Sequence, residues 1–125
     1  MEIKGIVVSG MGKGTYFMSQ DIYREQFMEK LNFQPFVGTL NIGIAVNNIK
    51  LLSCIPPEKF VMISGKDKFG DVKALKATLN NEVQGALVFP VKTKHPQDVL
   101  EFIADTKLRE TLKLEDGDVV TLNIE

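Results

Sequence analysis

The sequence is short of the residues that staple, anchor or strongly charge a chain. It has one cysteine, Cys54, so no internal disulfide forms and no cysteine-based metal site exists. A buried thiol behaving as a small hydrophobe is its expected role. The one histidine, His95, stands before Pro96 and reads as a helix cap or surface group. No apolar run approaches the ~20 residues that a membrane-spanning helix requires. Residues Met1 to Gly5 carry neither the basic nor the apolar region of a secretion signal. These absences point to a reducing cytoplasm and to no membrane partner. There is no basic excess either. Against 15 Lys+Arg stand 16 Asp+Glu, a net charge of −1, which argues against a general nucleic-acid binder.

What is present suits one globular domain over residues 1–125. The chain is 44% hydrophobic and 25% charged, and long enough to bury a core unaided. Ile3 to Ser9 read as a strand that runs into the loop Gly10-Met11-Gly12-Lys13-Gly14, with a short strand at Thr15 to Met18. A helix is expected over Asp21 to Leu31, where Tyr23, Phe27 and Leu31 recur at four-residue spacing. Thr39 to Val46 read as a strand, Asn47-Asn48 as a turn, and Leu51 to Ile55 as a further strand. Phe60 to Ser64 and Val83 to Phe89 are strands. Asp71 to Leu79 has high helix propensity but lies between loop signals beside strands, and we read it as a strand. A second helix is expected over Pro96 to Ala104, with Val99, Leu100, Phe102 and Ile103 as its core face and Glu101 turned away. A helical turn at Leu108 to Leu112, the turn Asp116-Gly117-Asp118 and a last strand at Val119 to Ile124 complete the chain. Many short strands with few helices and no repeated βαβ unit give a mainly β fold, a barrel carrying two or three short helices.

Several segments have chemistry in them. In Gly10-Met11-Gly12-Lys13-Gly14, alternate glycines let backbone N–H groups converge on an anion, with Lys13 as a point charge. The spacing fits neither the dinucleotide fingerprint nor the Walker loop, and a plain hairpin loop is the simpler reading. Thr39 and Asn41 flank Leu40 and, on a strand, project to one face. A hydroxyl and a carboxamide side by side suit a hard cation whose negative partners come from substrate phosphates. A polar-out, apolar-in strand is the simpler reading of the residues alone. Lys107 and Arg109 fit either phosphate binding or a solvated face.

In order along the chain, these segments resemble the archaeal CTP-dependent riboflavin kinases. The matching stretches are Val8 to Phe17, Gly38 to Asn41, Gly85 to Pro90, Lys94-His95, and Lys107 to Glu110 leading to Asp116-Gly117-Asp118-Val119. The resemblance implies a cradle-loop β-barrel with Greek-key connections, and the charge balance leads us to expect no nucleic-acid partner. The implied reaction is Mg²⁺-dependent transfer of the terminal phosphate of CTP to riboflavin, giving FMN and CDP; a monomer is expected. It puts the nucleotide on Met11, Gly12, Lys13, Gly14, Thr15 and Tyr16, and on Thr106, Lys107, Leu108 and Arg109. It puts one Mg²⁺ on Thr39 and Asn41 and the flavin near Thr93 and Glu101, with Glu101 the candidate general base. Thr15 stands where another member has arginine and Thr106 where another has methionine, so backbone contacts are implied there. Two other readings remain: a barrel-type DNA-binding regulator, to whose closing strand Leu108 to Ile124 is similar, and a flavin- or nucleotide-binding module without catalysis.

Overall fold

A computed structural model describes residues 1–9, 21–35, 39–65, 70–90 and 99–124. Among the described residues, seven strands form the body: β1 (Glu2–Val8), β2 (Leu40–Gly43), β3 (Val61–Ile63), β4 (Val72–Leu79), β5 (Val83–Pro90), β6 (Val99–Ala104) and β7 (Val119–Ile124). Their order is β3-β4-β5-β6-β2-β1-β7, all antiparallel, and β4 also pairs with β7. That last pairing closes a six-stranded barrel and leaves β3 as an added strand, so the expected fold class is the one found.

The closing seam depends on β4 serving two neighbours along one edge. Its first half, Val72 to Ala74, pairs with β3, and its last residues, Ala77 to Leu79, pair with β7. Beyond Leu79, Asn80 and Asn81 both take left-handed φ, 52° and 57°, the pattern of a type I′ hairpin turn into β5. Asn80 extends the seam past the strand, because its backbone N–H donates to the Thr121 carbonyl and its side-chain oxygen accepts from the Thr121 N–H, each at 2.8 Å.

Inside the barrel lie Ile3, Val7, Ile42, Leu75, Leu79, Leu87, Leu100, Phe102 and Leu122, all essentially inaccessible. A second apolar cluster forms outside the barrel wall, under helix α1 (Asp21–Leu31). Tyr23, Phe27 and Leu31 on one face of α1 cover Ala74, Ala86, Val88 and Ile103 on β4, β5 and β6. The helix ends where Asn32 turns to φ 62°, a left-handed C-terminal stop. Polar contacts fix its angle: the Tyr23 hydroxyl donates to the Gly70 carbonyl at 2.7 Å and Lys30 to the Met62 carbonyl at 2.7 Å.

Four sequence expectations are overturned by the structure. Residues 99–104 form strand β6 and not the end of a helix. Leu100, Phe102 and Ala104 face the barrel core while Ile103 faces α1. A strand buried on both sides loses its polar alternation, and its apolar residues then mimic helical spacing. Val99, expected in the core, is 41% exposed.

The strand expected over Thr39 to Val46 is found shorter, as β2, and the Asn47-Asn48 turn and the strand expected over Leu51 to Ile55 are replaced by helix α2 (Val46–Ser53). Ile49 and Leu52, three residues apart, lay it against the barrel core, and Leu51 between them is exposed. Cys54, expected to be buried, follows that helix and is exposed and free. The short helical turn anticipated after β6 is found as α3 (Leu108–Thr111). Among the described residues, no helix is long and apolar enough to cross a membrane.

Candidate active site

One row of register partners crosses the barrel wall. Val8 on β1 stands opposite Asn41 on β2, Asn41 opposite Glu101 on β6, and Glu101 opposite Val88 on β5. Directly opposed residues share a face, with Cβ atoms ~4.5–5.5 Å apart. Leu40 and Ile42, on either side of Asn41, are buried in the core. Asn41 therefore points outward, and so does Glu101 between Leu100 and Phe102. Val88, in the same row, lies beneath α1. The row runs from under that helix onto an open shelf carrying Glu101 and Asn41, both half-buried. Thr39 is also half-buried and directly precedes β2, which starts one residue later than expected.

Two residues further along the same outer face, a second row joins Val119, Ile6, Gly43 and Val99. Its side chains are apolar yet open to solvent, with Ile6 48% and Val119 66% exposed. Because Gly43 contributes no side chain, the row is hollow at its centre. A groove of about 490 Å³ runs there, lined by Lys4, Ile6, Val8, Gly43 and Val99 among others. A polar shelf thus borders an apolar trough on one surface.

Helix α3 brings cations to the same region. The Arg109 guanidinium donates to the Val8 carbonyl at 3.3 Å and to Asp116 at 2.6 Å. Asp116 accepts a second hydrogen bond, from the Ser9 hydroxyl. Its carboxyl is held below the ordinary range, first by that Ser9 hydrogen bond and then by Arg109. The interaction is therefore complete above the ordinary carboxylate pKa and is lost as pH falls through the lowered value. Lys107 pairs with Glu110 at 2.9 Å, with side chains 56% and 71% exposed. Such a pair contributes little to stability, so Lys107 can exchange it for a stronger anion. Thr106 has a buried hydroxyl oxygen without a hydrogen-bond partner, the kind of group that a ligand or water completes. Leu108 packs into the barrel core, which restricts its offer to backbone groups.

Of the residues singled out in the sequence, Asn41 and Glu101 are neighbours, and Arg109 reaches the strand beside them through Val8. Met11 to Tyr16, Thr93 and His95 lie outside the described residues, although the chain leads into the glycine segment directly from Ser9. The Asn41–Glu101 pairing was invisible while residues 99–104 read as helix. A run of only six residues with a β-branched start and an aromatic centre was the available signal for a strand. Ser9 and Asp116 were not singled out as site residues, because a contact between residues 107 positions apart leaves no local pattern.

Comparison with known proteins adds the remaining facts. Residues 7–124 match the CTP-dependent riboflavin kinase domain family, described as a domain of unknown function, DUF120. The chain is 50% identical to the riboflavin kinase of Methanothermobacter thermautotrophicus over 94% of its own length and 93% of the relative's. It is 45% identical to that of Methanobrevibacter smithii over 98% of each. A third riboflavin kinase, from Archaeoglobus fulgidus, is 41% identical over 99% of this chain but only 54% of its own longer sequence.

Proposed function

The chain belongs to the archaeal CTP-dependent riboflavin kinase family, and from that premise we propose that it transfers the terminal phosphate of CTP to riboflavin. In the proposed reaction the riboflavin 5′-hydroxyl oxygen attacks the γ-phosphorus and the bond from that phosphorus to the β-phosphate oxygen breaks. FMN and CDP are released, and the hydroxyl proton leaves to Glu101 or to water. Transfer of this kind asks the protein mainly for alignment and charge neutralisation. The register that sets Asn41 opposite Glu101, with Arg109 hydrogen-bonded to Val8 in the same row, carries the reading.

Each part of the surface has a role in this reading. The glycine segment, Met11 to Tyr16, offers backbone N–H groups to the phosphates, and Lys107 and Arg109 offset their charge. The trough at Ile6, Gly43 and Val99 gives a flat apolar floor for the flavin ring. Glu101 at its edge hydrogen-bonds the flavin's polar chain, a role that the resemblance also gives to Thr93. Glu101 also serves as acceptor for the hydroxyl proton, although a loose transition state demands little of a base.

The donor set fits Mg²⁺. Among the described residues, no group of three or more His, Cys, Asp or Glu gathers. Thr39 and Asn41 offer only neutral oxygens, the ligands expected when phosphate oxygens and waters complete the octahedron. They would hold the ion, which when bound neutralises the phosphates during transfer. Through it the two residues would set where the nucleotide's phosphates stand relative to Glu101.

Incubating the protein with riboflavin, Mg²⁺ and each nucleoside triphosphate tests the function. CTP should give FMN at a rate at least about tenfold above ATP, a difference of only ~1.4 kcal/mol in barrier. Equal or faster turnover with ATP removes the CTP assignment, and no FMN with any donor removes the kinase reading. A second expected result concerns the glycine segment. Gly12→Val or Gly14→Val should weaken CDP binding while the protein stays folded, since a Cβ there blocks positive φ or close phosphate approach. Unchanged CDP affinity by calorimetry in a folded variant would reduce that segment to a hairpin connection.

A further inference from the structure

We propose that Asp116 is a positioning residue of the nucleotide site, holding the Arg109 guanidinium against the end of β1 where the glycine segment begins. The inference rests on the kinase reading above, in which Arg109 and that segment meet the phosphates. Asp116 has the wrong charge to touch a phosphate, so whatever it contributes is exerted through other residues.

The geometry gives it three partners. One carboxylate oxygen accepts from Arg109 Nη2 at 2.6 Å, and the same nitrogen reaches the Val8 carbonyl at 3.3 Å. The other oxygen accepts from the Ser9 hydroxyl, on the last described residue before the glycines. A single side chain therefore joins α3, the end of β1 and the turn that leads into β7.

That turn is itself rigid. The Glu115 N–H donates to the Asp118 carboxylate at 2.8 Å, and the Asp118 N–H donates back to the Glu115 carbonyl at 3.0 Å. It is also stitched to β1, because the Gly117 N–H donates to the Val7 carbonyl at 2.8 Å and the Val7 N–H to the Asp118 carbonyl at 2.9 Å. Asp116 is thus a fixed post, whereas Arg109, about 40% exposed, is a long side chain with many rotamers. Orienting such a side chain in advance removes an entropy cost that nucleotide binding would otherwise meet.

The test is a double-mutant cycle on the full chain, read by CDP calorimetry and steady-state kinetics. Asp116→Ala should weaken CDP binding about fivefold, the size expected for releasing one rotamer-rich side chain. The KM for CTP should rise similarly, with kcat changed less than about twofold and the KM for riboflavin unmoved. In an Arg109→Ala background, adding Asp116→Ala should change CDP affinity by less than about twofold, because the two act as one unit. Asp116→Asn keeps an acceptor for Ser9 but not the charge, and should weaken CDP binding in the same direction with thermal stability close to wild type.

A fivefold loss in both backgrounds would make Asp116 merely structural and overturn the proposal. Unchanged or tighter CDP binding in Asp116→Ala and Asp116→Asn, with wild type binding normally, overturns it while sparing the kinase reading. Wild-type protein that binds no CDP overturns both.

Discussion

Gly85→Ala is expected to destabilise the protein by about 2–3 kcal/mol, in the upper part of the range for overpacked cores. Gly85 lies on β5 opposite Ala104 of β6. A Cβ built on it falls 2.1 Å from the Ile103 carbonyl oxygen and 2.7 Å from the Phe102 ring. The nearer obstacle is backbone, so no rotamer change relieves it, and β6 must move away from β5. The ~0.5–1 kcal/mol that alanine regains over glycine in a strand is too small to offset this. At a few degrees per kcal/mol for a domain of this size, the melting temperature should fall by roughly 10 °C.

Gly117→Ala is the contrasting control. Its φ is +95° but nothing lies within 4 Å of the added Cβ, so only backbone strain of about 1 kcal/mol is expected. Equal melting temperatures for Gly85→Ala and wild type would mean that β5 and β6 are not as closely apposed as described. The displacement also bears on function, because β6 carries Glu101. FMN formation in the folded fraction should fall as Glu101 shifts against Asn41.

The elements that were legible in the sequence are those with one clean apolar face. Helix α1 has Tyr23, Phe27 and Leu31 stacked at helical spacing over one surface, and its bounds, Asp21–Leu31, are those read from the sequence. Strand β7 alternates Val120, Leu122 and Ile124 inward, and it too was read correctly. For β4 the Lys-Ala-Leu-Lys-Ala stretch favours a helix locally. Pairing with three neighbours and burial of Ala74 outside and Leu75 inside override that preference. The same double burial in β6 produced the opposite error. Its residues satisfy two apolar clusters at once, and periodicity alone does not distinguish that from a helix.

The site was legible to a different degree. Asn41 and Glu101 were singled out separately, one from a polar position on a strand and the other from a resemblance. That they are cross-strand neighbours follows only from the β2–β6 register. The apolar trough was not legible, because Ile6, Val99 and Val119 come from three separate strands. Each of them read alone is an ordinary core residue. Asp116 was seen as a turn residue, which it is, but its hold on Arg109 is a property of the folded chain.

Asn41→Leu should abolish most FMN formation, by about 100-fold or more, while the barrel remains folded. The two halves of that expectation come from the two faces of β2. Leu40 and Ile42 carry the packing, each at most 2% exposed, and neither is touched. Asn41 faces outward between Val8 and Glu101, so leucine of similar size there meets the shelf and not the core. Stability should change by less than about 1 kcal/mol.

On the proposed reading, leucine removes an oxygen for Mg²⁺, and it also removes the polar neighbour of Glu101, leaving the carboxylate beside an apolar group. A 100-fold loss corresponds to ~2.7 kcal/mol of transition-state stabilisation, a modest demand for a lost metal ligand on a phosphate. Thr39→Val should act in the same direction, since it keeps the β-branched shape and deletes only the hydroxyl. Calorimetry supplies a readout apart from turnover: Mg²⁺ should strengthen CDP binding to the wild type, and in Asn41→Leu that enhancement should shrink or vanish. If Thr39 and Asn41 were merely the polar side of a strand, both variants would turn over near the wild-type rate and keep the Mg²⁺ enhancement. That result would remove the metal from these two residues and leave Arg109 and the glycine segment as the remaining supports for phosphate binding.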